Sequence, residues 1–419
     1  MDTEHSTFMT HNRPPMIPAA AARALERTQT LIAQFGGRLA GSDACRSTAQ
    51  SLRAAFETHC GRASLEAFTT HPSTFTQFYR IDTVLYLAGL ALLFLRQPLL
   101  AGLLLFSMFA AASLQFGWYV ELYDRFYPLA TCHNLTAVLE PRGEPRQQLI
   151  LSGHHDSANE LRFLQHNQKL YGLKIVIPDF FRVLAMTFAW VWAGWRWVIG
   201  GDPAFTPWVL GLLVVGIYFV FTKFFLFEPW AVPGAGDNLI ASSLLVELAG
   251  MLRDPQRPGG SLLEHTRLVF ASFDAEEAGL RGSRAWVRAH RDELASLPAY
   301  ALNIDSIYQV SEIQFLSSDL NSHIRLDAEM VKRCLAVAQG CGFPARTAVM
   351  RFAGGGTDAA ELAKAGAHAT TLIAMPSGVV RDGLVYHTMR DTVDAIEPAA
   401  VEACLAIALA LAKEIDGEA

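Results

Sequence analysis

Two pairs of long apolar runs do most to restrict how this chain can fold. Residues 83–95 read TVLYLAGLALLFL and residues 99–120 read LLAGLLLFSMFAAASLQFGWYV, parted only by Arg96-Gln97-Pro98. The design recurs over 180–230: FFRVLAMTFAWVWAGWRWVIGG, a polar Asp202-Pro203 turn, then WVLGLLVVGIYFVFTKFFLFEPW. A helix needs roughly 20 apolar residues to cross a bilayer, so the shortest run, 83–95, qualifies only if Tyr79–Asp82 reach the interface. Trp118, Tyr119, Trp195, Trp197, Trp208 and Trp230 fall near the run ends, where an interfacial aromatic belt would put them. Helical hairpins buried in a soluble core are the alternative, but such runs are seldom this long there. Two transmembrane hairpins, 79–120 and 179–230, are therefore expected.

Each hairpin leaves and re-enters on one side, so the polar segments share one face of the membrane. Arg80, Arg125, Lys169, Lys174, Arg182 and Lys223 lie near that face, whereas the hairpin tips offer only Arg96 and Arg196. The positive-inside bias then puts the polar part in the cytoplasm, as expected for an integral protein of a bacterial inner membrane. The beginning, MDTEHSTFMTHNRPPM, has no apolar core of a signal peptide, and some eighty residues would otherwise need exporting. Residues 1–17 are expected to form a mobile leader.

Outside the hairpins the pattern is that of a water-soluble α/β domain. With 419 residues the chain could hold one large domain or two ordinary ones. A net charge of −6 gives no electrostatic case for a nucleic-acid partner. Mean hydropathy of +0.23 is high for a purely soluble enzyme, and the excess is clustered in the runs. Six scattered cysteines, without a CxxC pair, read as structural thiols in a reducing compartment. Helical periodicity covers 19–35, 43–59, 239–252, 286–294 and 327–339; strands are expected over 63–70, 134–139, 147–152, 268–273, 300–304, 347–352 and 369–374. Alternating strands and helices imply one mostly parallel sheet flanked by helices, a single discontinuous domain over 18–78, 121–178 and 231–419.

Chemistry gathers where the strands end. LVFASF, residues 268–273, is followed by Asp274, the adjacent Glu276 and Glu277, and glycines 279 and 282 that permit a tight turn. His154 and Asp156 follow another strand, Asp237 a glycine-rich loop, Asp305 a third strand, and His387 the strand 369–374. Open α/β sheets bring such positions to one edge. A lone histidine after a strand is more often a packed or surface residue. Five candidates at successive strand ends make a different case: His154, Asp237, Glu277, Asp305 and His387 form a nitrogen–oxygen set suited to Zn²⁺. Five exceed the needs of one catalytic zinc and suit two ions sharing a bridging carboxylate. Glu276 cannot easily share the ion held by Glu277, so it stays free to carry a proton. Asp156 can accept the second N–H of His154. Tyr386 has a phenolic donor for a developing oxyanion, though a packed aromatic is its plainer reading. Asp358 and Asp391 read as structural carboxylates, in a helix cap or behind the ligands; His155 and His368 as neither ligands nor acids.

The order HxD, GxxDN, AEE-G-x-GS, N-x-D, YH-xxx-DT resembles the co-catalytic zinc aminopeptidases of metallopeptidase family twenty-eight, which include bacterial leucyl aminopeptidases. FGGRLAGSDACRSTAQSL resembles that family's opening helices, so the likeness runs from about residue 20 to 412. It implies a zinc-exopeptidase fold and peptide substrates. It further implies that His154 and Asp305 bind the first zinc, with Asp156 orienting His154, and that Asp237 bridges. Glu277 and His387 would bind the second zinc, Glu276 would be general base and acid, and Tyr386 would polarise the scissile carbonyl. Carboxypeptidase, dipeptidase and glutaminyl-cyclase-like activities stay open on the same site; a non-catalytic receptor or transporter subunit fits less well with every motif present. One departure stands out. The family's loop between HxD and the bridging aspartate is short, whereas here Ser157 to Gly236 includes a whole hairpin. The mouth of the site is therefore expected to face the bilayer.

Overall fold

The computed structural model describes residues 16–351, 354–376 and 383–419. Residues 1–15 of the expected leader and Phe352 lie outside the described residues, while Met16 and Ile17 already belong to the helix Met16–Phe35. The next helix, Asp43–Cys60, starts where the Ser42 hydroxyl accepts from the Cys45 N–H, and stops at Gly61.

Among the described residues eleven strands follow in chain order: β1 Ala63–Thr70, β2 Ala130–Leu139, β3 Gln147–His154, β4 Asn159–Leu161, β5 Phe227–Ala231, β6 Thr266–Phe273, β7 Ala299–Ile307, β8 Ile313–Asp319, β9 Ile324–Arg325, β10 Arg346–Val349 and β11 His368–Ala374. Nine form one mixed sheet in the order β1-β2-β6-β3-β7-β11-β8-β10, with β9 on β8. The central pairs β6–β3, β3–β7 and β7–β11 are parallel. These strands are buried along almost their whole length, as expected of a parallel sheet covered on both faces. Register pairs His154 with Phe273 and Ser152 with Asn303. The functional ends of β3, β6 and β7 are thereby brought level at one edge.

Among the described residues, five helices are long and apolar enough to cross a membrane. The one spanning Ala235–Leu252 is 89% buried and packs on the sheet, whereas the other four are 22–39% buried. Those four are Ser73–Phe94, Pro98–Gly117, Gln168–Val198 and Thr206–Phe225, the two expected hairpins with their ends extended into the domain. They share one core, including Tyr86, Leu105, Phe181, Trp192 and Leu213. Leu99, Leu103, Phe106, Val191 and Tyr218 point outward and exposed. At the base of the bundle Arg182 pairs with Asp82 and Asp179, and Lys223 with Asp179. Both cations are buried there, not spread along an interface as expected from sequence. Trp118, Trp197, Trp208 and Trp230 are exposed near the helix ends, but Tyr119 is buried. Its backbone turns through φ +54° and carries the ring away from the apolar surface.

One other expectation needs revision, and two features were not anticipated. The helix expected over 286–294 begins at Arg281 and breaks at His290 into Arg281–Ala289 and Arg291–Ser296. The His290 ring is held at 2.8 Å by both Glu66 and Glu293, which fixes the break. Strand β8 was not expected; its apolar run, IQFL, is too short to identify from periodicity. The ribbon of β4 and β5 also goes beyond the sequence reading, because it pairs residues at the two roots of the second hairpin.

Candidate metal centre

Each candidate ligand is held by a local backbone device. His154 ends β3, and its Nδ1 lies 3.2 Å from Asp156 Oδ1. The two oxygens of Asp156 also accept the N–H groups of Glu276 and Glu277, so one carboxylate ties the β3 end to the β6 turn. That turn needs Ala275 at φ +60° and Gly279 at φ +96°. A Cβ on Gly282 would strike the Asp274 carbonyl, so only glycine lets the following helix approach. Asp274 itself accepts from Gly41 and His133. Asp305 lies within β7, and Ser306, at φ +50°, donates its hydroxyl to Asp305 Oδ1. His387 too has positive φ, +53°. Ala275, Ser306 and His387 are non-glycine residues in the left-handed region, a placement that recurs at functional sites.

The five side chains meet. His154 Nε2 lies 3.4 Å from Asp237 Oδ1 and 4.0 Å from Asp305 Oδ1. His387 Nε2 lies 3.1 Å from Asp237 Oδ2 and 3.2 Å from Glu277 Oε1. The result is two triads, His154–Asp237–Asp305 and Asp237–Glu277–His387, sharing Asp237 through its separate oxygens. Glu276 Oε2 is 3.7 Å from His154 Nε2, beside the first triad.

Charge is tightly packed here. Burial, and then the carboxylates of Asp305, Asp358 and Glu277, push Glu276 well above the usual carboxylate range. Burial raises Glu277 and Asp305 to about 7. Asp237 goes the other way: burial opposes its ionisation, but the imidazoles of His154 and His387 outweigh it and hold it well below its ordinary value. Several lone pairs still lack a hydrogen-bond partner: His154 Nε2, His387 Nε2, Asp237 Oδ2 and Glu277 Oε1 are buried and orphaned. Convergent acceptors of this kind are costly unless a cation joins them. Two imidazoles and three carboxylates suit zinc.

Neighbouring residues sort themselves out. Asp391 accepts the N–H groups of Gly236 and Asp237, so it shapes the loop that presents Asp237. Asp358 makes no cap bond to its helix. Burial, with Asp305 and Asp156 nearby, pushes its carboxyl to about 8. The His155 ring bonds the Ser272 hydroxyl at 2.9 Å, and burial lowers it to about 3. His368 is a surface partner of Asp327. Tyr386 stacks on His387 at 3.7 Å, and burial plus the site carboxylates keep its hydroxyl protonated.

Two residues near the site were not anticipated. Arg38 is fully buried and donates to the carbonyls of Gly36, His155, Pro233 and Gly234. Its place in FGGRLAGS between two glycine-flanked helices was the available signal, yet nothing local says what it reaches. Tyr119, read as a belt residue, packs instead with Leu280 and Leu320 beside the Glu276–Glu277 turn, where Phe75 meets its ring edge-on at 4.7 Å.

Residues 220–412 match the model of Peptidase family M28. The chain is similar to that family over this segment, a little under half of its length. The matched segment includes Asp237, Glu276, Glu277, Asp305 and His387, and starts inside the second hairpin, whose insertion separates it from His154 and Asp156. A stretch of 78 residues is 38% identical to a probable glutamate carboxypeptidase of Arthroderma benhamiae, covering 19% of this chain and 10% of that relative. The chain also shares its fold with a zinc aminopeptidase of Bacillus subtilis, at 14% identity and a TM-score of 0.55 over 94% of this chain and 95% of that one. Fimbriiglobus ruber glutaminyl cyclase is alike at 15% identity, TM-score 0.55, over 96% of both.

Proposed function

We propose that the chain is a membrane-anchored exopeptidase that works with two zinc ions, an aminopeptidase removing N-terminal residues from peptides. The observation that supports this best is Asp237, whose two oxygens face different imidazoles. His154, Asp237 and Asp305 would hold one ion and Asp237, Glu277 and His387 the other, with Asp156 fixing the His154 tautomer. When bound, the pair supplies Lewis acidity and brings the pKa of water down toward about 7. Glu276 takes the proton of the attacking water. It then delivers that proton to the amide nitrogen as the C–N bond breaks, leaving a carboxylate and a free amine. The Tyr386 hydroxyl donates to the carbonyl oxygen as negative charge grows on it.

The four poorly buried helices support anchoring in a bilayer, and the cations near their roots support a cytoplasmic domain. Both hairpins also reach the site. Tyr386 packs against Leu161, Phe163, Leu164 and Leu226 at the root of the second, while Phe75 and Tyr119 come from the first. An apolar wall on each side, continuous with the membrane segments, favours hydrophobic peptides or membrane-protein termini that arrive along the bilayer. Equal cleavage of soluble peptides with and without lipid would remove that part of the reading.

The deciding experiment profiles aminoacyl, N-blocked and N-terminal glutaminyl peptides with zinc-reconstituted protein, alongside Glu276→Gln. Cleavage confined to unblocked amino termini, falling by about 10²–10⁴ in Glu276→Gln, is expected. Release of C-terminal residues from N-blocked peptides would replace the aminopeptidase with a carboxypeptidase, and turnover surviving in Glu276→Gln would remove the proton carrier.

A further inference from the structure

At the far end of the bundle from the peptidase domain lies a cavity of about 700 Å³. It sits between the end of Ser73–Phe94 and the start of Thr206–Thr222, and its two ends differ in chemistry. Arg96 and Asp202 mark the polar end. Asp202 is the shared partner of two guanidinium groups, Arg96 at 3.1 Å and Arg196 at 2.6 Å. Two cations against one anion leave a net positive charge, and the Arg96 side chain is 74% exposed. Thr206 also lines the cavity, and its buried hydroxyl has no hydrogen-bond partner. The other end is apolar, running along Leu210, Gly211 and Val214. Gly211 has open space where a side chain would stand, so the groove continues along the helix face. From Thr206 to Val214 that face extends roughly 12 Å toward the bilayer centre.

We propose that this cavity binds one anionic glycerophospholipid of the leaflet opposite the peptidase domain. The inference rests on the membrane-anchored reading given above. The phosphate meets Arg96, where an arginine at the interface attracts anionic headgroups. One acyl chain lies over Gly211 against Leu210 and Val214. Free phosphate would use the polar end alone and leave the apolar groove unfilled. The site has no part in the hydrolytic chemistry.

The test uses full-length, delipidated protein in detergent, titrated with phosphatidylglycerol or phosphatidylcholine and read by native mass spectrometry. A one-to-one phosphatidylglycerol adduct is expected to outlast the phosphatidylcholine adduct as collision energy rises. Arg96→Ala should reduce it about fivefold. Gly211→Leu fills the groove without touching charge and should abolish retention of both lipids. Millimolar inorganic phosphate should not displace the lipid. Peptidase turnover on a soluble peptide, unchanged in both variants, shows that they are folded. Equal retention of the two lipids in wild type and Arg96→Ala, full retention in Gly211→Leu, or displacement by phosphate overturns the proposal. Extraction with alkaline carbonate separates the two readings. Release of the chain from membranes removes the anchoring and the site together, while resistance without lipid preference removes the site alone.

Discussion

Arg38→Lys tests how the two halves of the proposed metal centre are held in place. The guanidinium of Arg38 makes four N–H bonds, three of them at 2.8 Å, to His155, Pro233 and Gly234, and one at 3.1 Å to Gly36. His155 follows His154 directly, and Gly234 stands three residues before Asp237, so one side chain clasps both loops. Burial lowers its pKa to about 10, with Cys45, Asp391, Asp156 and Asp237 opposing, so it stays charged at neutral pH. Lysine keeps the charge but concentrates its donors at one point, and cannot reach carbonyls spread around a planar fork. Two bonds lost at the low end of the charge-assisted range give about 3 kcal/mol. At about 2.1 cal/mol/K of unfolding entropy per residue, Tm should fall about 3–4 °C, measured by thermal unfolding in detergent. Because the freed loops carry His154 and Asp237, zinc affinity measured by chelator competition should drop about tenfold. A variant that melts with wild type and binds zinc as tightly would refute the clasp.

Two other outcomes follow from the geometry. Tyr386→Phe removes only the hydroxyl and should lower kcat about 10²-fold with little change in KM, since the lost bond belongs to the transition state; a loss confined to KM would make Tyr386 a packing residue. His290 supplies a pH signature. Burial opposes its protonation, but Glu66 and Glu293 raise it to about 9. Its folded value thus exceeds the ordinary value of about 6.5, so its stabilising effect is complete below that pH and fades as pH rises through about 9. The Tm gap between wild type and His290→Gln should be widest near about pH 6 and close by about pH 10; a gap independent of pH would exclude the pairing.

Much of the site was legible because each part carries a local signature. A buried strand such as Leu268–Phe273 identifies itself by its β-branched and aromatic run, and its end fixes where Glu276 and Glu277 must emerge. His154 and Asp305 follow by the same rule, since parallel neighbours end at one edge. What stayed hidden depends on contacts distant in sequence. Tyr119 has the composition and position of an interfacial aromatic, and only its left-handed backbone turns it toward Leu280. Arg182 and Lys223 look like flanking cations until the two hairpins pack together and bury them against Asp82 and Asp179. The helix Ala235–Leu252 is the converse: apolar enough for a span, but placed by Asp237 at its start under the sheet.

The ribbon β4–β5 has a consequence for how such a chain can be remodelled. Asn159 sits opposite Ala231 and Leu161 opposite Phe227, while Ala158 and Leu226 accept from Val232 and Arg162 on either side. The strand pair works as a flange: everything beyond it hangs from two backbone ends about 5 Å apart. A tight turn spans that gap as readily as a pair of long helices does. The second hairpin is therefore an attachment that evolution, or an engineer, can exchange without shifting His154 on one side or Asp237 on the other.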